Sequence, residues 1–292
     1  MKRSILLTAL LALPLVAFAG TEVDSKTVAP VTPALQPSAI SGDIGVTVLN
    51  QYNTRGIIVE SKGVITQPYA DLYLKLYSGD GFINSFSLQA GIWNDFSSTG
   101  QVAKEGHDLQ SWTEFDWDAG FIVKFAKRFS LSSVFLQYVS PSDAYRLGRF
   151  INSTLSFDDS GLLDKNFSLQ PSLTFLYELS GPGHAGLRGH SWYFSPQIEP
   201  NYTFFQDSST PVTVSVPIYA GLGSGFYAGK TLGYFAFGPQ VSVKLGFVPQ
   251  QFGTWTFSAG YRYYHLGSTT AAIASGQNST QHLFNASLGL VF

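Results

Sequence analysis

The closing stretch of the chain, His282–Phe292, sets Phe284, Ala286, Leu288, Leu290 and Phe292 on one side and Asn285, Ser287 and Gly289 on the other. Successive side chains of a strand point to opposite faces. The stretch is therefore a strand with one apolar and one polar face. A soluble sheet shows the same period, whereas a barrel strand in a bilayer turns its apolar face to lipid and its polar face to a wet interior. The rest of the chain discriminates between these two readings.

Beyond Gly42 the alternation recurs about twelve times, with ten or fourteen strands left open because weak strands and boundaries are the least legible parts of such a pattern. Strand one, about Ile44–Asn53, turns Ile44, Val46 and Val48 outward, and strand two, about Pro68–Tyr77, does so with Ala70, Leu72, Leu74 and Leu76. The turn Ser78-Gly79-Asp80-Gly81 follows, its glycines suited to the positive φ of tight hairpins. Strand four, about Trp112–Phe125, carries Phe115, Trp117, Ala119, Phe121, Val123 and Phe125 on one face and Glu114, Asp116, Asp118 and Lys124 on the other. Strands five, about Leu131–Val139, and six, about Arg149–Phe157, have fainter patterns. Pro171, Pro196, Pro200, Pro217 and Pro239 fall inside expected strands. Each lacks a ladder donor, so local irregularity is expected, above all in strand eight, about Ser191–Phe205.

Aromatic residues gather at both ends of the strands. Trp112, Phe115, Trp192, Phe194, Tyr261 and Tyr263 fall near one rim, and Phe82, Phe125, Tyr202, Phe204 and Trp255 near the other. Two such belts match two membrane–water interfaces. A soluble sandwich has no reason to cluster rings at both strand ends. The expected fold class is an all-β transmembrane antiparallel up-and-down barrel spanning 43–292.

The N-terminus fits export. Lys2 and Arg3 precede an apolar run from Ile5 to Phe18, and Ala17-Phe18-Ala19 is a small-x-small cleavage site, so 1–19 reads as a signal peptide. The run is shorter than the roughly 20 apolar residues of a membrane-spanning helix. Residues 20–42, with Pro30, Pro33 and Pro37, read as a disordered periplasmic linker. The chain has no cysteine, which excludes lipidation at the cleavage site, disulfides and thiol chemistry.

Only 12% of residues are charged, against about 25% in ordinary soluble domains. Loss of Lys2 and Arg3 with the leader takes the net charge from -2 to -4, a difference of two. A weakly acidic chain argues against nucleic acid as a partner, which calls for a basic stripe.

The ending on Phe292 resembles the C-terminal strand of bacterial outer-membrane proteins. That resemblance implies that Phe292 is an assembly signal read by the barrel-assembly machinery, in the outer membrane of a Gram-negative envelope. The segment Gly45 to Ile57, which contains Tyr52-Asn53-Thr54-Arg55-Gly56, resembles the start of the TorF-like porins. So do Gln67-Pro68-Tyr69-Ala70-Asp71-Leu72 and Ala90-Gly91-Ile92-Trp93-Asn94. The resemblance covers the first three strands and implies an outer-membrane barrel with a channel function.

The inward positions define the expected site. Asp71, Tyr73, Lys75, Glu114, Asp116, Asp118, Glu199 and Arg262 are the expected pore-lining residues, with Tyr69, Tyr73, Tyr77 and Tyr193 narrowing the lumen. Carboxylates repeated on one strand face can bind a cation or share protons, yet Lys75, Lys124, Lys244 and Arg262 supply the countercharge of an ordinary polar wall. The histidines are His107, His184, His190, His265 and His282. They offer no His-x-Ser pair on one strand face, and His190-Ser191 places the two on opposite faces. Gly221-Leu222-Gly223-Ser224-Gly225 opens no helix and lacks the Lys-Ser/Thr ending of a phosphate loop, so it reads as a flexible loop. No catalytic site, cofactor or metal is expected. About twelve strands imply a narrow passive channel for small solutes or ions, with lipid as the surrounding partner. A non-conducting adhesion barrel is the second reading, and an outer-rim hydrolase the third.

Overall fold

The computed structural model describes residues 39–101, 110–142, 147–180, 190–274 and 278–292. The expected leader and nearly all of the linker lie outside them, as do His107 and His184. The described chain is 4% helix and forms a closed antiparallel barrel of 12 strands. Strand one, Ile40–Leu49, pairs with strand two, Ile65–Ser78, and also with strand twelve, Thr280–Val291, which closes the cylinder. Between them run strand three, Ile83–Gln101, strand four, Gln110–Phe125, strand five, Phe129–Val139, and strand six, Gly148–Phe157. Strand eleven is Thr254–Leu266.

Strands seven to ten are each built in two pieces. Strand seven is Phe167–Ser168 and Ser172–Ser180, strand eight Trp192–Ile198 and Asn201–Phe204, strand nine Val212–Ser215 and Ile218–Leu222, and strand ten Leu232–Phe237 and Gln240–Lys244. The gaps hold Pro171, Pro200, Pro217 and Pro239. One piece of each strand pairs within one half of the wall, the other within the other half, so the breaks run side by side across the four strands. Hydrogen bonds still cross at the breaks: Val216 N–H reaches Pro200 O at 2.9 Å and Tyr261 N–H reaches Pro239 O at 2.9 Å. Irregularity was expected chiefly in strand eight. It is shared by four neighbours because each supplies a proline without a donor at nearly the same height. Of the five prolines named above, Pro196 alone sits within a paired piece, opposite Leu173.

The outward set follows the alternation. Ile44, Leu72, Leu74, Leu76, Phe121 and Phe284 are exposed, while Asp43, Asp71, Tyr73, Asp116 and Asp118 are buried inside. Two local expectations fail. Gly79 and Gly81 do not adopt positive φ; instead Asn84 closes that turn, its Nδ2 donating to Gly81 O at 3.0 Å and its Oδ1 accepting from Lys127 N–H at 2.6 Å. Tyr77 does not narrow the lumen. A bulge between Lys75 and Tyr77 places Tyr77 opposite Phe86, which stacks with the outward Phe121, because an extra residue turns the following side chains over.

A plugged lumen as the candidate functional site

Strand one ends at Leu49, short of the expected Asn53, and the chain turns back into the barrel. Tyr52–Thr54 and Ile57–Glu60 form a two-stranded hairpin. Its turn has Arg55 at φ 50 and Gly56 at φ 79, the paired positive values that a two-residue hairpin demands. The hairpin reaches across the interior. Tyr52 donates its hydroxyl to Glu114 Oε2 at 3.0 Å and meets Trp93 at 5.6 Å between ring centroids, both on one side of the barrel. On the other side, Tyr227 donates its hydroxyl to Arg55 O at 3.0 Å, and the Tyr234 ring lies against Gly56. The short helix Ser268–Ala274 packs on the second arm.

Around this plug the wall is divided by chemistry. Strands two to four carry acids. A Cβ added at Gly91 of strand three would strike the Asp71 carboxylate from one side and lie 2.7 Å from Asp118 Oδ2 on the other. The missing side chain is what lets two carboxylates meet over that strand. Asp116 is the next inward residue of strand four, subject to the charges of Glu114, Arg55 and Asp118. Asp95 faces Glu114 across the ladder and accepts from Gln67 Nε2 at 2.7 Å and from the Thr113 hydroxyl. Asp43 of strand one accepts from the Tyr73 hydroxyl at 2.8 Å.

Strands eight to ten carry tyrosines instead, joined to strand eleven. Tyr193 and Tyr234 share a hydrogen bond of 2.7 Å, and Tyr219 and Tyr264 one of 2.8 Å. Phe226 and Tyr227 enter from the loop between strands nine and ten and are buried against them. Glycines make this possible: the Tyr234 ring occupies the space over Gly221, and the Tyr227 ring that over Gly233. Gly221 is thus a seat for rings rather than only part of a flexible loop, a role invisible without knowing which tyrosine lies across from it.

The expected site residues therefore separate. Asp71, Asp116, Asp118 and Glu114 come together with Tyr73 nearby. Lys75 lies below them and is exposed, while Glu199 stands apart at the strand-eight break. Arg262 is buried and spends its guanidinium on the strand-ten break, with Nη1 donating to Gly238 O at 2.9 Å and Nη2 to Gln240 Oε1 at 3.3 Å. The sequence reading missed the inward hairpin and with it Glu60, whose carboxyl lies among Asp95, Ser97 and Thr113. Burial holds that carboxyl above its ordinary value of 4.5, offset in part by the nearby polar groups of Ser97, Thr113 and Asp95. A raised carboxyl favours the seated hairpin below pH 4.5, and that contribution is lost as pH rises toward the raised value. Proteolysis of the hairpin should accordingly increase across that window in the native chain and lose this dependence in Glu60→Gln; a profile unchanged by the substitution rules out Glu60 as its source.

No family profile and no curated protein matches the sequence. Among solved structures, the chain is similar to the COG4313 outer membrane channel from Pseudomonas putida F1, with a TM-score of 0.50 and 12% identity over 89% of this chain and 97% of that one. The two share a fold, the closed antiparallel β-barrel. The NanC porin also matches, at a TM-score of 0.40 and 10% identity over 85% of this chain and 98% of the porin. The likeness of the first three strands to the TorF-like porins stands as a resemblance, without a matching family profile.

Proposed function

We propose that this protein is a narrow passive channel of the bacterial outer membrane, exported on the leader 1–19, with 20–39 as a periplasmic linker, since the expected linker residues Ile40–Gly42 belong to strand one. Small solutes or ions are the cargo, lipid and the barrel-assembly machinery the partners. The observation that carries the reading is the buried acidic wall of Asp71, Glu114, Asp116 and Asp118 inside a barrel whose outer face is apolar. Like charges crowded in a dry core are costly; along a hydrated passage the same charges are a lining. The hairpin Tyr52–Glu60 constricts that passage rather than leaving a wide pore.

Acids in a low-dielectric wall focus a negative potential and concentrate cations. In planar bilayers the protein should conduct weakly with a modest cation preference, reduced at high salt by screening. Asp116→Asn together with Asp118→Asn should move the reversal potential under a salt gradient toward zero. Anion preference, or a reversal potential unmoved by the double substitution, removes these carboxylates as the selectivity element. A barrel that inserts but never conducts favours the second reading, an adhesion or scaffold barrel, which the tyrosine-filled lumen also fits.

A further inference from the structure

The hairpin tip holds a cation in a setting that the barrel builds for it. The Arg55 guanidinium carbon lies 5.6 Å from the ring centroid of Tyr138 on strand five and 5.8 Å from that of Tyr193 on strand eight. Its charge acts on Asp116, and Glu114 acts on the same Tyr138 ring. Two aromatic faces and two carboxylates suit a planar, weakly hydrated cation better than a compact ammonium.

The backbone points the same way. Arg55 stands at φ 50 beside Gly56 at φ 79, positions where such turns ordinarily take Asn, Asp or Gly. A long side chain gains nothing from that backbone. What it gains lies at the guanidinium end. The tip itself is anchored independently, through the Arg55 carbonyl to Tyr227 and through Gly56 to Tyr234, so the side chain is presented to the cage as a tethered ligand.

We propose that Tyr138, Tyr193, Glu114 and Asp116 form a guanidinium-binding cage, that Arg55 is its resident occupant, and that solutes bearing a free guanidinium group compete with Arg55 for it. Binding in the cage is independent of conduction; passage through it rests on the channel reading above. Arginine-like solutes become the preferred cargo class, and displacement of Arg55 is the step that loosens the hairpin.

The test uses chemical rescue. Arg55→Ala, as the full folded chain in detergent, should unfold at a lower temperature than the native protein, read by heat-modifiable gel migration. Millimolar guanidinium chloride should restore the midpoint, while sodium or tetramethylammonium chloride at equal ionic strength should not. Adding Asp116→Asn should raise the guanidinium concentration needed by roughly tenfold, because it removes a buried negative charge that acts on the guanidinium site. Arg55→Gln, which keeps a long neutral side chain at the turn, gives the same titration if Arg55→Ala does not fold. Absence of rescue, equal rescue by tetramethylammonium, or rescue indifferent to Asp116→Asn overturns the proposal. A bilayer recording with guanidinium as the cation separates the two readings. Rescue without current keeps the cage and removes the channel. Current without rescue keeps the channel and removes the cage.

Discussion

Leu72→Arg should destabilise the barrel in lipid by about 2–4 kcal/mol, the range for a cation placed on the lipid face near the midplane. Leu72 is 54% exposed and pairs with Gly42 on one side and Ala90 on the other. Along the ladder it stands midway between the outward rings of Trp112 and Phe125, where the hydrocarbon is deepest. The neighbouring substitution, Tyr73→Arg, is the control. Tyr73 points inward and donates its hydroxyl to Asp43 at 2.8 Å, so an arginine there exchanges one partner of a carboxylate for another and should cost less than Leu72→Arg does. Reversible folding into lipid vesicles, followed by tryptophan fluorescence in urea, measures both. If Tyr73→Arg proves the more damaging of the two, strand two has been read in the wrong register.

Deleting Phe292 should leave little folded protein in the outer membrane. The residue is part of the seam that closes the cylinder: Phe292 N–H reaches Gly42 O at 3.0 Å and Gly42 N–H reaches Phe292 O at 2.9 Å. Its ring also lies over Gly42, where a Cβ would come within 2.7 Å of Phe292 Cζ. Loss of the residue thus removes two backbone bonds and the cover of a glycine on the outer face, together with the proposed assembly signal. Phe292→Asn keeps the backbone bonds and isolates the contribution of the ring. Folded, heat-modifiable protein at native levels in outer-membrane fractions from both variants shows that the terminal ring is dispensable.

The barrel was legible in the sequence because lipid and lumen impose opposite demands on successive residues, and strands two, four and twelve obey them almost without exception. The faint patterns of strands five and six belong to true strands as well: Ser133 and Ser153 stand in the outward series, and buried Val134, Leu136 and Phe150 in the inward one, which softens the contrast without shifting the period. The acidic quarter was legible for the same reason, since Glu114, Asp116 and Asp118 share one face of one strand. The hairpin was not. Tyr52-Asn53-Thr54 continues the alternation of strand one, so nothing local marks the reversal, and the surfaces that cover it come from Glu114, Tyr138, Tyr193, Tyr227 and Tyr234, far along the chain. Tyr77 failed for a smaller reason, a single-residue bulge that no propensity announces. Arg262 is buried, and its engagement with Gly238 depends on a strand break opposite it in space that no local pattern announces.

The hairpin's position in the chain also constrains the order of events during folding. It lies between the first two strands, yet its tip bonds to Tyr227, 172 residues later. The wall that encloses it does not exist when it emerges, so the second half of the barrel must wrap around a segment already waiting inside. Contacts of such long sequence separation reward the chain only after most of its loop entropy has been lost, which slows folding. Once the seam between strands one and twelve is sealed, a hairpin left outside faces a closed wall. The expected kinetic signature is a slow refolding phase in which the barrel is closed but Tyr52 and Arg55 remain accessible to modification.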